Sequence, residues 1–245
     1  MNDDVIIEKN TDNLIYKTFF WMFLGLIGTA GIAGYTYFSG LWISLVESNY
    51  FEAILIGELL IVILFSLFFK KLSSTTVAIL YFIYSMLNGV TLSTIFLIFE
   101  LNSIIVLFAT AATLFGLFAL LGFITKKDLG KWYYLLLGTL IASLVISIIN
   151  MFMGNSTLDI LIDCTVLFAF FGITSYDMNK IKNLQYDNSI ESDKLYIYGA
   201  MQLYLDFINI FIRILSLFGK RRRWKLGQRG RSLTVSLFAN ILLYI

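Results

Sequence analysis

Seven apolar stretches account for most of this chain: Leu14–Phe38, Phe51–Phe69, Val77–Phe99, Ser103–Ile124, Trp132–Met153, Leu158–Tyr176 and Leu195–Phe218. About 20 residues at ~1.5 Å rise cross the ~30 Å hydrocarbon layer of a bilayer, and each stretch is of that order. Lipid offers no hydrogen bonds, so backbone inside it must satisfy its own. The stretches lack the two-residue alternation of a membrane β-barrel, and the sequence has no proline to break a helix. They predict seven transmembrane helices in an all-α membrane protein, with short connections and antiparallel neighbours. The first span follows a segment, 1–13, that carries Asp3, Asp4, Glu8 and Asp12. A secretory signal begins with basic residues, so this span is expected to be retained.

Composition agrees. Of the 245 residues, 59% are hydrophobic and only 14% charged, against about 45–50% and about 25% in soluble domains. A soluble globule of this size cannot hide so much apolar surface. There is no histidine, which removes His-ligated zinc and Ser–His–Asp hydrolysis, and Cys164 alone forms no internal disulfide. Neither an enzyme, nor a resident cofactor, nor a nucleic-acid partner is expected.

The basic residues predict orientation. Lys9, Lys17, Lys70, Lys71, Lys126, Lys127, Lys131, Lys180, Lys182 and Lys194 fall in the N-terminal segment and the even-numbered loops, and the odd-numbered loops have none. By the positive-inside rule the N-terminus is cytoplasmic in a plasma or inner membrane. Aromatics at span ends, Trp42 and 132–134, fit interfacial belts. The tail, 220–245, opposes this orientation. It opens with Lys220, Arg221, Arg222, Arg223, Lys225, Arg229 and Arg231, yet seven crossings put it outside. Three explanations stand: the last span is re-entrant, the tail is foreign to the natural protein, or late charges do not override ten earlier ones. The domain reading is therefore an N-terminal segment (1–13), a seven-helix domain (14–219), and a basic, then apolar, tail. Small-residue spacings at Gly25/Thr29, Ala30/Gly34 and Ala112/Gly116 suggest close helix contacts.

Ionisable groups within spans are costly and call for a partner. Gln202, Asp206, Asn209 and Arg213, spaced 4, 3 and 4, share one stripe of the seventh span and so face protein or water rather than lipid. The other reading of this stripe is a structural hydrogen-bond ladder. Asp206 lies near mid-span, where a lone carboxylate is driven toward neutrality. Asp177 follows the sixth window, but 176–184 is helix-compatible, so the sixth helix can run on and bring Asp177 inside. Two close carboxylates share a proton and can hold a hard cation when ionised. A loop carboxylate neutralised by Lys180 is the alternative for Asp177. Glu58 lies at a depth similar to that of Arg213 and could pair with it, unless Arg213 snorkels to the interface. Asp159 and Asp163, four apart, join Glu47, Glu52 and Glu100 in an acidic outer end. Such an end either concentrates cations or is simply solvated.

These residues carry a resemblance. Residues 171–182, FGITSYDMNKIK, are similar to the sixth-helix "YDxxxIK" ending of the Bax inhibitor-1-like (transmembrane Bax inhibitor motif) family. Residues 202–219, QLYLDFINIFIRILSLFG, resemble its long seventh-helix motif, and 88–93, NGVTLS, its third helix. The resemblance spans about 14–219 and suits a bacterial member. It implies six helices around a central seventh and a pH-sensitive calcium leak, with the aspartates matching Asp177 and Asp206 as a hydrogen-bonded, proton-sensing gate. Many relatives carry Glu at the position of Asn88, so a possible cation ligand is missing here. The connection 183–194 is longer than usual, and the tail after Gly219 has no known counterpart.

The expectation is a calcium leak. Ionised Asp177 and Asp206 hold the permeant ion transiently, and Gln202, Asn209, Arg213, Glu58 and Asn88 line or support the path. The alternatives are a proton-coupled transporter using the same aspartates, or a regulatory scaffold for other membrane proteins. The transporter lacks a visible inverted repeat. A retinal protein is excluded because the seventh span has no lysine.

Overall fold

A computed structural model describes residues 2–48, 50–184 and 192–222. Within them the chain forms α1 (Asn2–Phe38), α2 (Leu41–Glu47), α3 (Tyr50–Phe68), α4 (Ser74–Leu92), α5 (Ile95–Ile98), α6 (Leu101–Ile124), α7 (Gly130–Met153), α8 (Ser156–Leu184) and α9 (Ser192–Phe218). Seven helices are long and apolar enough to cross a membrane, with α4 and α5 together making the third. The windows read from sequence match them to within a few residues. The exception is the sixth, which continues from Tyr176 to Leu184, so Asp177 is helical and buried.

The turns are built from local polar chemistry. Ser73 caps α4 by accepting the Thr76 N–H at 3.2 Å. Gly154 ends α7 with φ +66°, a left-handed conformation that glycine adopts without penalty. The Asn150 side chain then closes the α7–α8 turn, donating to the Asn155 carbonyl at 2.9 Å and to Asp159 at 2.6 Å. At the other end of the bundle, α8 caps α6. Asn179 donates to the Thr125 carbonyl at 2.8 Å, and Lys182 donates to the carbonyls of Phe123 and Thr125 at 2.7 and 2.9 Å. A lysine there satisfies carbonyls that have no partner within the helix and complements its negative end.

α9 is the core: 72% of its span is buried, against 17% for α7 and 22% for α3 and α6. α1, α4, α6 and α8 pack on it, and α3 reaches it through Phe65 and Phe69 against Tyr198. The ring is uneven, because α7 packs chiefly on α8, where Tyr133 stacks on Tyr176. Outward faces carry large apolar residues such as Ile105, Leu120, Ile148 and Phe168, as a lipid-facing surface requires.

Close helix approach occurs where glycine meets backbone. A Cβ on Gly122 would lie 2.1 Å from the Ser175 carbonyl oxygen, and one on Gly89 would lie 2.7 Å from that of Thr29. Of the three spacings singled out from sequence, Gly25/Thr29 sits at a helix contact, against Tyr81 and Tyr204. Gly34 and Gly116 have nothing within 4 Å of an added Cβ, so neither marks a contact.

α9 runs unbroken for 27 residues, about 40 Å at ~1.5 Å per residue. A re-entrant last span is therefore ruled out, and Gly219 emerges at the end of the bundle opposite Lys180. The first tail residues dock there. The Lys220 N–H donates to Ser103 Oγ at 2.9 Å, the Glu100 N–H donates to the Lys220 carbonyl and the Arg222 N–H to the Ile98 carbonyl. The Arg222 guanidinium donates to the Phe99 carbonyl at 3.1 Å and to the Tyr37 hydroxyl at 2.7 Å. Lys220 pairs with Glu100 at 3.0 Å. The basic residues Arg223, Lys225, Arg229 and Arg231, the apolar close of the tail and most of the 183–194 connection lie outside the described residues.

Gly122→Ala must force α6 off α8 and is expected to cost about 1–3 kcal/mol. Gly116→Ala should be near neutral. Thermal unfolding of the two variants in detergent checks the contrast, and equal loss in both would contradict this packing.

Candidate functional site

The stripe on α9 faces α8. Asp206, near the middle of α9, is buried, and Asp177 reaches it from α8 about two turns before that helix ends. The two carboxyls lie within electrostatic reach of each other, and the Thr174 hydroxyl lies beside Asp206. Asp206 Oδ2 is buried without a hydrogen-bond donor among the described residues. Asp177 is thus a buried helical residue near Asp206, not a loop residue. Lys180 is nonetheless close enough for its charge to act on Asp177. Its ammonium donates to the Tyr198 hydroxyl at 2.8 Å and lies over the Tyr198 and Tyr176 rings. Beyond it a cleft of about 240 Å³, lined by Asp128, Tyr176, Asn179, Lys180, Asn183 and Leu184, opens at the lysine-rich end.

The rest of the stripe continues away from that end. Gln202 is half-buried, and Asn209 is buried with its amide donating to the Leu205 carbonyl at 2.9 Å. Arg213 neither pairs with Glu58 nor snorkels. It is 2% exposed and donates to Asp163 Oδ1 at 2.6 Å, while the Ser216 hydroxyl donates to Asp163 Oδ2. The correction has a geometric reason: Glu58 and Arg213 share a depth but lie on different faces of α9. Asp163 therefore turns into the bundle, and Asp159 is held by Asn150. That leaves the acidic end less negative than its composition suggests, since Glu100 also faces Lys220.

A second polar group occupies the opposite face of α9. Glu58 on α3 is 0% exposed, and its Oε1 accepts from Thr91 of α4 at 3.0 Å. Asn88 lies beside it and accepts the Tyr204 hydroxyl at 3.0 Å, and Tyr204 also meets Thr29 of α1 at 2.6 Å. Glu58 and Asn88 are thus brought together, away from the aspartates.

Three participants were not singled out from sequence: Asp163 as a buried partner, and Tyr204 and Thr91. Asp163 carried a legible signal, because positions 163, 170, 174 and 177 fall on one stripe of α8. Tyr204 and Thr91 carried none, since a tyrosine or threonine in an apolar helix is ordinary filler.

Among the described residues, no three acidic or cysteine side chains gather into a metal-holding group. The aspartate pair offers two carboxylates, where a resident calcium ion takes 6–8 oxygens.

The family described as "Inhibitor of apoptosis-promoting Bax1" matches residues 11–223. The chain belongs to this Bax inhibitor-1-like family. Inner membrane protein YbhL of Escherichia coli K12 is 35% identical over 227 residues, covering 89% of this chain and 97% of that protein. An uncharacterized protein of Borreliella burgdorferi is 36% identical, covering 89% and 95%, and one of Deinococcus radiodurans is 31% identical, covering 84% and 89%. The match reaches past Gly219 to include the docked residues 220–222.

Removing one member of a buried ion pair typically costs about 3–5 kcal/mol, whereas replacing both by apolar groups is often neutral. Asp163→Asn should therefore destabilise by that order, and Asp163→Leu combined with Arg213→Met should recover most of the loss. Denaturant titration in mixed micelles measures both.

Proposed function

We propose that this protein is a non-enzymatic, pH-sensitive calcium leak of the bacterial inner membrane, gated by a proton shared between Asp177 and Asp206. The observation that carries this reading is the juxtaposition of two buried carboxyls on antiparallel α8 and α9, one of them with an unsatisfied oxygen. Two like charges in a low-dielectric interior repel, so the pair favours holding one proton between them. When both ionise, the pair attracts a hard cation. When a proton returns, the cation site is lost and the contact between α8 and α9 changes. Because α9 is the central helix, a shift at Asp206 is transmitted to every helix packed on it.

Calcium is the passing cargo, not a resident ion: two carboxylates and a threonine hydroxyl form too small a donor set to trap it, and water supplies the remaining ligands. Lys180 and its tyrosines stand between the pair and the open cleft, where a cation must pass a positive charge. The E. coli relative is named as an inner membrane protein, which supports that location. The lysines of one end support a cytoplasmic N-terminus. Lys220 and Arg222 weigh little against it, since Glu100, Tyr37 and backbone carbonyls already engage them.

Calcium entry into dye-loaded liposomes, measured from pH 6 to 8, tests the reading. Wild-type protein should show a leak whose rate changes with pH. Asp177→Asn and Asp206→Asn should each flatten that dependence. No flux above empty liposomes at any pH would reject the channel in favour of a transporter or a scaffold.

A further inference from the structure

We propose that Glu58 is a second proton-binding site, set against the face of α9 opposite the aspartate pair and holding its proton in the closed bundle. This inference is independent of calcium conduction. It begins with how the Glu58 carboxyl is satisfied. The residue is 0% exposed, and its Oε2 is buried with no donor among the described residues. Its Oε1 faces the Thr91 hydroxyl at 3.0 Å, but that hydroxyl has one proton and also lies 2.9 Å from the Asn88 carbonyl. The remaining partner is the Asn88 side chain, whose oxygen accepts from Tyr204 and whose amide is the further donor to the Glu58 carboxyl.

Among the described residues no ion pair is made to it. The phenols of Tyr84 on α4 and Tyr204 on α9 lie within reach of its charge. α1 contributes the neutral Thr29, which reaches the cluster through Tyr204. Arg213, the arginine of similar depth, is committed to Asp163 on the far side of α9. A carboxylate sealed from water without an ion-pair partner costs more than one shared hydroxyl and one amide return. A proton removes that charge and turns Oε2 from an orphan acceptor into a donor. The compact cluster of Glu58, Thr91, Asn88, Tyr204 and Thr29 is then a neutral hydrogen-bond network joining α3, α4, α9 and α1. Tyr204 and Asp206 are two residues apart, about 200° around the helix, so the central helix carries a proton-dependent contact on each side.

Infrared spectroscopy of the full-length protein in liposomes tests this without any flux. At pH 7, the difference spectrum of wild type minus Glu58→Gln should show the C=O stretch of a protonated carboxylic acid, a component that persists in the Asp177→Asn and Asp206→Asn backgrounds and so is not the proton of the aspartate pair. Thr91→Val keeps the carboxyl but removes its hydroxyl donor and should move the band to higher wavenumber. That second variant decides the matter if Glu58→Gln does not fold. The proposal is overturned if Thr91→Val leaves the band unmoved, if Glu58→Gln retains it, or if Glu58→Gln instead removes ionised-carboxylate bands. The last outcome would mean a bound cation neutralises Glu58.

Discussion

Everything in this bundle depends on one constraint: the hydrocarbon around it can neither hydrate a charge nor satisfy a hydrogen bond. The polar side chains of the spans must then find one another, and the place most removed from lipid is the surface of α9. Asp177, Asp163, Thr174 and Ser175 on α8 turn inward, as do Glu58 on α3 and Asn88 and Thr91 on α4. α7 packs outside on α8 and leaves a lateral cleft of about 170 Å³ beside Asn209 and Arg213.

The interior separates into two polar tracts on opposite sides of α9. The α8 side runs from Lys180 through the aspartates to the Arg213–Asp163 pair. It contains both signs of charge, and its middle is the least satisfied part. The α4 side contains Glu58 as its carboxyl and neutral groups otherwise. The Arg213–Asp163 pair helps set the register of α8 against α9: two antiparallel helices pinned at 163/213 and 163/216 place 206 opposite residues 170–173, with Thr174 next to them and Asp177 one to two turns further along.

The two ends of the bundle are tied differently. At the lysine-rich end, side chains of α8 cap α6, and Lys180 sits among tyrosines. At the other end, the residues after α9 lie across the α5–α6 junction. Gly219 is required there because a Cβ would meet the Leu215 carbonyl oxygen at 2.3 Å and the Phe99 ring at 2.5 Å. α9 is held at both ends, and Asp206 Oδ2, without a donor among the described residues, lies between the ties.

Much of this was legible in the chain itself. The seven spans, their antiparallel order, the polar stripe on α9 and the pairing of Asp177 with Asp206 follow from local properties: apolar run length, helical period and the cost of burying charge. The extension of α8 past Tyr176 was readable for the same reason, since helix-compatible residues continue there. What the sequence could not assign was the partner of each remaining charge. Glu58 and Arg213 share a depth, and depth is what a count along a helix supplies. Rotation about α9 is not, and it gives Arg213 to Asp163 and leaves Glu58 with Thr91. Small-residue spacings failed likewise: they name a helix face but not its neighbour, and Gly122 and Gly89 proved the tight contacts because backbone happens to cross there. Run length, period and charge are written along one dimension. Azimuth and the identity of the facing helix arise only when all seven helices compete for the same dry interior.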